Sequence, residues 1–306
     1  MVEEGSVMYM TLYDEIGRNN KTTIFLFVSY AILYAIVIYF ALYLFLESNP
    51  GLPVFTVTTL ILLALFCIVA FSQGANIVLA LAGARLLKKN EFPFVYNTVE
   101  GLSIAAGIPM PKIYIIDSNV LNAFATGMDP KKSYIALTTG IIKNMNRTEL
   151  EGVIAHEMSH IKNYDIRLML AGAVLAMAIA FIADATLHSM RMGGRGSNRN
   201  DKGGLLLLVG ILFIALAPIV SMLIRFAISR NREYAADASA AMLTRYPYGL
   251  ASALNKIKLA YEKNPKELST NEAIKPLFIF EPGKAILELA STHPPIEDRI
   301  ARLKKM

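Results

Sequence analysis

His156, Glu157 and His160 stand in a His-Glu-x-x-His run, His156-Glu157-Met158-Ser159-His160, inside a helical pattern that leads into an apolar stretch. On a helix the two imidazoles fall on one face about one turn apart, so both can reach a single ion. Zn²⁺ held by neutral nitrogen donors lowers the pKa of a water toward neutrality, and a neighbouring carboxylate can take its proton and return it to a leaving amine. Glu157 is spaced for that role. The chemistry is peptide-bond hydrolysis without a covalent intermediate. Two histidines at this spacing also occur on helices as surface groups or satisfied core groups.

Such a site needs a third protein donor that folding can return to the same helix face. Glu233 is the candidate, in Ser229-Arg230-Asn231-Arg232-Glu233-Tyr234-Ala235-Ala236-Asp237 at the exit of another apolar segment. In a helix Glu233 and Asp237 share a face. The glutamate could bind the metal while the aspartate accepts an N–H from a ligand histidine and fixes its tautomer. Such a pair is also common on solvated helices.

The elements that must position these residues are unusual for a water-soluble chain. Hydrophobic residues make up 55% of the 306, tryptophan is absent, and the mean hydropathy is +0.45. Thr22 to Leu46 carries no charge over 25 residues and Leu52 to Ala84 none over 33; both exceed the roughly 20 residues that cross a hydrocarbon core. Leu168 to Ala183 and Leu205 to Ile224 are shorter, with 16 and 20 residues, and form a hairpin around a basic, Gly-rich tip, Met190 to Gly204. Going out and back, this hairpin returns Glu233 to the side of the membrane that holds His160. If the helix of His156 continues into the third segment, the metal lies about 10 to 20 Å above the bilayer core at about 1.5 Å per residue. Arg225 would then snorkel to the surface or meet Asp165.

The reading is of a mainly α membrane protein with a small mixed sheet, in which a metalloprotease domain is interrupted by a membrane helical hairpin. Residues 1–84 form a two-helix membrane anchor, 85–165 and 230–306 together form the protease domain, and 166–229 form the hairpin. Arg18, Lys21, Arg85, Lys88 and Lys89 flank the first two segments, whereas the loop Glu47 to Gly51 has no Lys or Arg, which places the protease domain in the cytoplasm. The hairpin tip, with Arg191, Arg195, Arg199 and Lys202, runs against that bias. The first apolar stretch is too long for a cleaved signal and should stay as an anchor.

Within the protease domain, Asn146 as N-cap with Glu149 three residues on predicts a capping box at the start of the metal helix. Phe94 to Ala106 reads as a helix ended by Gly107 and Pro109. Lys112 to Ile116 and Ser133 to Thr138 read as strands, with Leu121 to Thr126 between them and Gly127 to Pro130 as the turn. An edge strand here could take an extended substrate onto the sheet, or could be a folding hairpin only. Ser291-Thr292-His293-Pro294-Pro295 precedes a polar helix, Ile296 to Lys304. His293, held extended by two prolines, could polarise the scissile carbonyl, stabilise the oxyanion, occupy an open zinc position or cap a helix.

These motifs together resemble the HtpX-type membrane metalloproteases, relatives of the CAAX prenyl proteases: His156 to His160, the stretch ending at Asp237, Asn122 to Gly127, and Ser291 to Pro295. The resemblance covers most of the chain, including the four hydrophobic segments. It implies a gluzincin fold with one Zn²⁺ on His156, His160 and Glu233, Glu157 as the base, and Asp237 behind a ligand. It also implies that Asn122, Ala123, Phe124 and Ala125 bind substrate backbone, and that the role is quality control of membrane proteins in the cell membrane. The expected partners are a peptide or protein substrate and the lipid bilayer, with no nucleic acid, since no aromatic-basic or phosphate-cradling motif is present. The lone Cys67, in the second apolar segment, is a packing residue.

Overall fold

The computed structural model describes residues 52–174, 230–263, 277–279 and 294–306, with scattered helical positions between 21 and 35. The remainder of the first apolar segment, the hairpin beyond 174 with its tip and Arg225, and His293 lie outside the described residues.

Helix α1, Leu52–Leu81, carries no charged residue over 30 positions. Only part of it has described side chains; on the described residues alone, no helix is long and apolar enough to cross a membrane. After α1 come β1 (Ala84–Leu86), α2 (Pro93–Ala106), β2 (Lys112–Ile116), β3 (Ala123–Asp129), β4 (Lys132–Thr138), α3 (Thr139–Asn144) and α4 (Arg147–Lys162). The chain then resumes in α5 (Arg230–Thr244), α6 (Pro247–Lys263) and α7 (Ile296–Leu303). The expected mainly helical architecture with a small mixed sheet is present.

The sheet order is β1-β2-β4-β3, with β2 and β4 parallel and both outer pairs antiparallel. Side chains alternate between its faces. Ile113, Ile115, Ala123, Ala125, Ile135 and Leu137 join the core formed with α2, α4, α5, α6 and α7. Phe124, Ala136 and Ile116 face the other way, onto Val78 and Leu79 of α1 and Leu168, Leu170 and Ala173 beyond α4. Residues before 166 and after 230 thus share one apolar core.

Two expectations are corrected here. The Gly127 to Pro130 turn lies later than the sequence pattern suggests: β3 runs on through Asp129 and the chain reverses at Pro130-Lys131. Gly127 instead marks a register shift, with φ at 142°. A Cβ there would stand 2.5 Å from the Lys132 carbonyl oxygen, so only glycine fits the crossing. Second, the metal helix does not run unbroken into the third apolar segment. It ends at Lys162, Tyr164 takes a left-handed φ of 60°, and a new helix is described over 165–174. Arg167 of that helix stacks over the Tyr164 ring at 4.4 Å and reaches Asp129 at 3.1 Å, tying the break to the end of β3.

The start of α4 follows the capping rule. Asn146 Oδ1 accepts from Glu149 N at 2.9 Å, and Glu149 accepts from Asn146 N at 2.8 Å. Glu149 is itself buried, and its other bonds come from Ser252 at 2.7 Å and Lys256 at 2.6 Å on α6. One carboxylate therefore caps α4 and pins it to its neighbour. Gly152 allows that closeness, since a Cβ on it would lie 2.7 Å from Leu250 N. At the other end of the chain, Arg302 of α7 packs over Tyr234 of α5 at 3.7 Å.

Candidate metal centre

Helices α4 and α5 pack face to face, which brings His156 and His160 against Glu233. One donor atom from each lies within 4.8 Å of the others. The two Nε2 atoms are 3.2 Å apart, and Glu233 oxygens stand 3.6 Å from His156 Nε2 and 3.5 Å from His160 Nε2. Imidazole nitrogens bound to a tetrahedral zinc at about 2.0–2.1 Å sit about 3.3 Å from each other. The donor set and its spacing fit that ion.

The outer nitrogens of both histidines face carboxylates. His156 Nδ1 is 3.0 Å from Asp237 Oδ1, and His160 Nδ1 is 3.1 Å from Asp165 Oδ2. A carboxylate on Nδ1 fixes the proton there and leaves Nε2 with its lone pair toward the ion. Asp165, expected at most to meet Arg225, thus lies beside a candidate ligand, because the break at Tyr164 turns the chain back on His160. Arg232, adjacent to Glu233 in α5, approaches Asp165 at 3.9 Å.

Arg299 of α7, like the position of Asp165, is not foreseen from the sequence. It is 1% exposed and donates to both Asp237 oxygens, from Nε at 2.8 Å and Nη2 at 2.7 Å, with Nη1 3.6 Å from Glu233. A signal existed: Ile296, Arg299 and Leu303 recur on the buried stripe of α7, so the arginine sits where a hydrophobe belongs. A cation buried at such a position needs acidic partners.

The charges shape proton affinities. Burial and the Arg299 charge press His156 down, but hydrogen bonds to Asp237 and Glu233 outweigh them and its pKa is pushed up to about 9. Burial likewise opposes protonation of His160, while Asp165 and Glu233 raise it on balance. For Asp237 burial favours the neutral acid, and the Arg299 cation holds it below the usual carboxylate range. Glu157 moves the other way: desolvation raises its pKa against the two histidines, and its carboxylate takes a hydrogen bond from the Ala125 backbone N–H.

The structure therefore brings His156, Glu157, His160, Glu233 and Asp237 together, with Ala125 beside them. Asn122, just before β3, and Ala123 and Phe124 at its start are all buried. Asn122 is engaged in the fold: its carbonyl accepts from Thr138 N at 3.1 Å and its side chain from Ala123 N at 3.0 Å.

Residues 89–306 match the profile of Peptidase family M48. The chain is 44% identical over 304 residues to the protein named Protease HtpX homolog from Dictyoglomus turgidum, covering 97% of this chain and 95% of the relative. It is 41% identical over 303 residues to the protein of the same name from Streptococcus uberis, covering 96% and 100%. Among solved structures, the crystal structure of S. mikatae Ste24p aligns with TM-score 0.50 and 20% identity over 90% of this chain. This chain spans 64% of that one, and the likeness concerns the fold.

Proposed function

The chain belongs to peptidase family M48, and from that membership we propose that it is an integral-membrane zinc endopeptidase with His156, His160 and Glu233 as ligands and Glu157 as general base. The observation that carries the reading is the convergence within 4.8 Å of three donor atoms, two from the helix that also presents Glu157 and the third from Glu233 of α5. A zinc ion held there supplies Lewis-acid chemistry, polarising a carbonyl and bringing the pKa of a water toward neutrality. The chain's own groups do the rest. Glu157, whose pKa burial raises above the usual carboxylate value, is suited to accept a proton from the attacking water and hand it to the leaving amine. The Ala125 N–H beside its carboxylate favours the ionised form. Asp237 and Asp165 fix the tautomers of the two histidines, and Arg299 keeps Asp237 ionised in a buried site.

The membrane setting is part of the proposal. Along the uncharged α1, Val57, Leu60, Ile61, Leu65 and Ile68 are each more than 50% exposed, and apolar side chains exposed at helical spacing suit lipid better than water. Peptide or protein substrates, membrane proteins among them, and a cytoplasmic protease domain acting in quality control complete the reading. His293, on the segment that leads into α7, is proposed to assist at the carbonyl.

Glu157→Gln is the test. Zinc content by atomic absorption should stay near that of the unaltered protein, while cleavage of unfolded casein falls by about 10² to 10⁴. Retained cleavage would remove Glu157 from the mechanism.

A further inference from the structure

β3 is an edge strand of the sheet, and alternation along it decides which backbone groups look outward. Asn122 carbonyl bonds to Thr138 of β4, so in this antiparallel pair the even-numbered positions pair inward, and the backbone groups of Ala123 and Ala125 point away from β4. Those are the groups that an extended peptide would use to add itself to the sheet. The Ala125 N–H is on Glu157. The Ala123 carbonyl is taken as well: Ile279 N–H donates to it at 2.9 Å.

Ile279 belongs to a short strap, Leu277-Phe278-Ile279, that is buried along this edge. The Phe278 ring meets the Phe124 ring edge-to-face with centroids 5.1 Å apart, and the Ile279 carbonyl accepts from Arg299 Nη1 at 3.2 Å. Both backbone groups of Ile279 are therefore held, one by the edge strand and one by the arginine that also grips Asp237 beside the metal ligands.

We propose that this strap is an intramolecular occupant of the substrate edge, competing with an extended substrate's backbone for the Ala123 carbonyl and so limiting how far a substrate can pair along β3. The inference rests on the peptidase reading above and concerns the regulation and reach of the same site. One backbone N–H is the point of competition, with Phe278 and Arg299 as its supports.

Ile279→Pro removes that donor and no side-chain charge. In the full-length zinc-loaded protein, KM for unfolded casein should fall about two- to tenfold, the range of one net hydrogen bond, with kcat and zinc content unchanged. An unmoved or raised KM at intact zinc content overturns the proposal. A second measurement needs no folding of the proline variant: hydrogen exchange at the Ile279 amide in zinc-loaded Glu157→Gln protein, with and without saturating casein. Competition predicts faster exchange on adding casein; unchanged or slower exchange overturns it. Absence of any zinc-dependent cleavage by the unaltered protein would remove the peptidase reading and the strap with it, whereas cleavage with no response at Ile279 removes the strap alone.

Discussion

The two histidines are supported by the same device built in two different ways. His156 leans on Asp237, which lies 81 positions further along the chain and is gripped by the buried Arg299 from α7, at 2.7 and 2.8 Å. His160 leans on Asp165, five residues away across a helix break, and Arg232 of α5 approaches the other Asp165 oxygen at 3.9 Å. One side is a sealed ion pair assembled from three distant segments. The other is a local turn at the root of the apolar stretch that follows. Breaking the His156 side is therefore expected to cost more global stability, whereas the His160 side is coupled to how the chain leaves α4.

The largest expected effect follows from breaking the sealed side. Arg299→Met leaves Asp237 buried without its cation, and losing one partner of a buried pair costs about 3–5 kcal/mol. Denaturant unfolding of the detergent-solubilised protein measures this, and a loss under about 1 kcal/mol, the level of an exposed pair, would erase the contrast.

Next comes the local side. Asp165→Asn preserves shape and removes charge, so zinc affinity measured against a competing chelator should weaken about 10- to 100-fold. Unfolding free energy should change far less than in Arg299→Met. Equal stability losses in the two variants would mean that both sides are structural pairs of one kind.

The effect with the smallest step, at most about tenfold for each pH unit, is a pH dependence. With the pKa of His156 raised to about 9, the zinc-free protein holds that stabilising proton fully below about 6.5 and loses its contribution as pH rises toward 9. Zinc must displace the proton, so its affinity runs the opposite way, strengthening by up to about tenfold per pH unit over that window. Thermal melts with and without zinc at pH 6.5 and 9 should therefore diverge; a constant zinc increment would contradict the assignment of the raised pKa to a ligand.

The same contrast explains what could be read from residues in order. The His-Glu-x-x-His spacing, the Asn146 and Glu149 cap, and the strands at 112–116 and 133–138 are local signals, and each recurs in the fold. Glu233 with Asp237 could be nominated because an apolar hairpin must return its ends to one side. The place of Asp165 beside His160 is not legible in the sequence although the two are only five residues apart, since an unbroken helix would carry Asp165 elsewhere and nothing in Asn163-Tyr164 announces a left-handed turn. Arg299 was overlooked because α7 reads as polar until its buried stripe is traced. The strap at 277–279 has no periodicity to betray it, being three residues whose place is set by an edge on another element.

X-ray absorption at the zinc edge of the purified full-length protein reads out whether His156, His160 and Glu233 hold a common ion. One ion with two imidazole nitrogens at about 2.0–2.1 Å and oxygen at about 2.0–2.2 Å is expected, with loss of that signal in Glu233→Ala. A spectrum without paired imidazoles, or one that Glu233→Ala leaves unaltered, would contradict it.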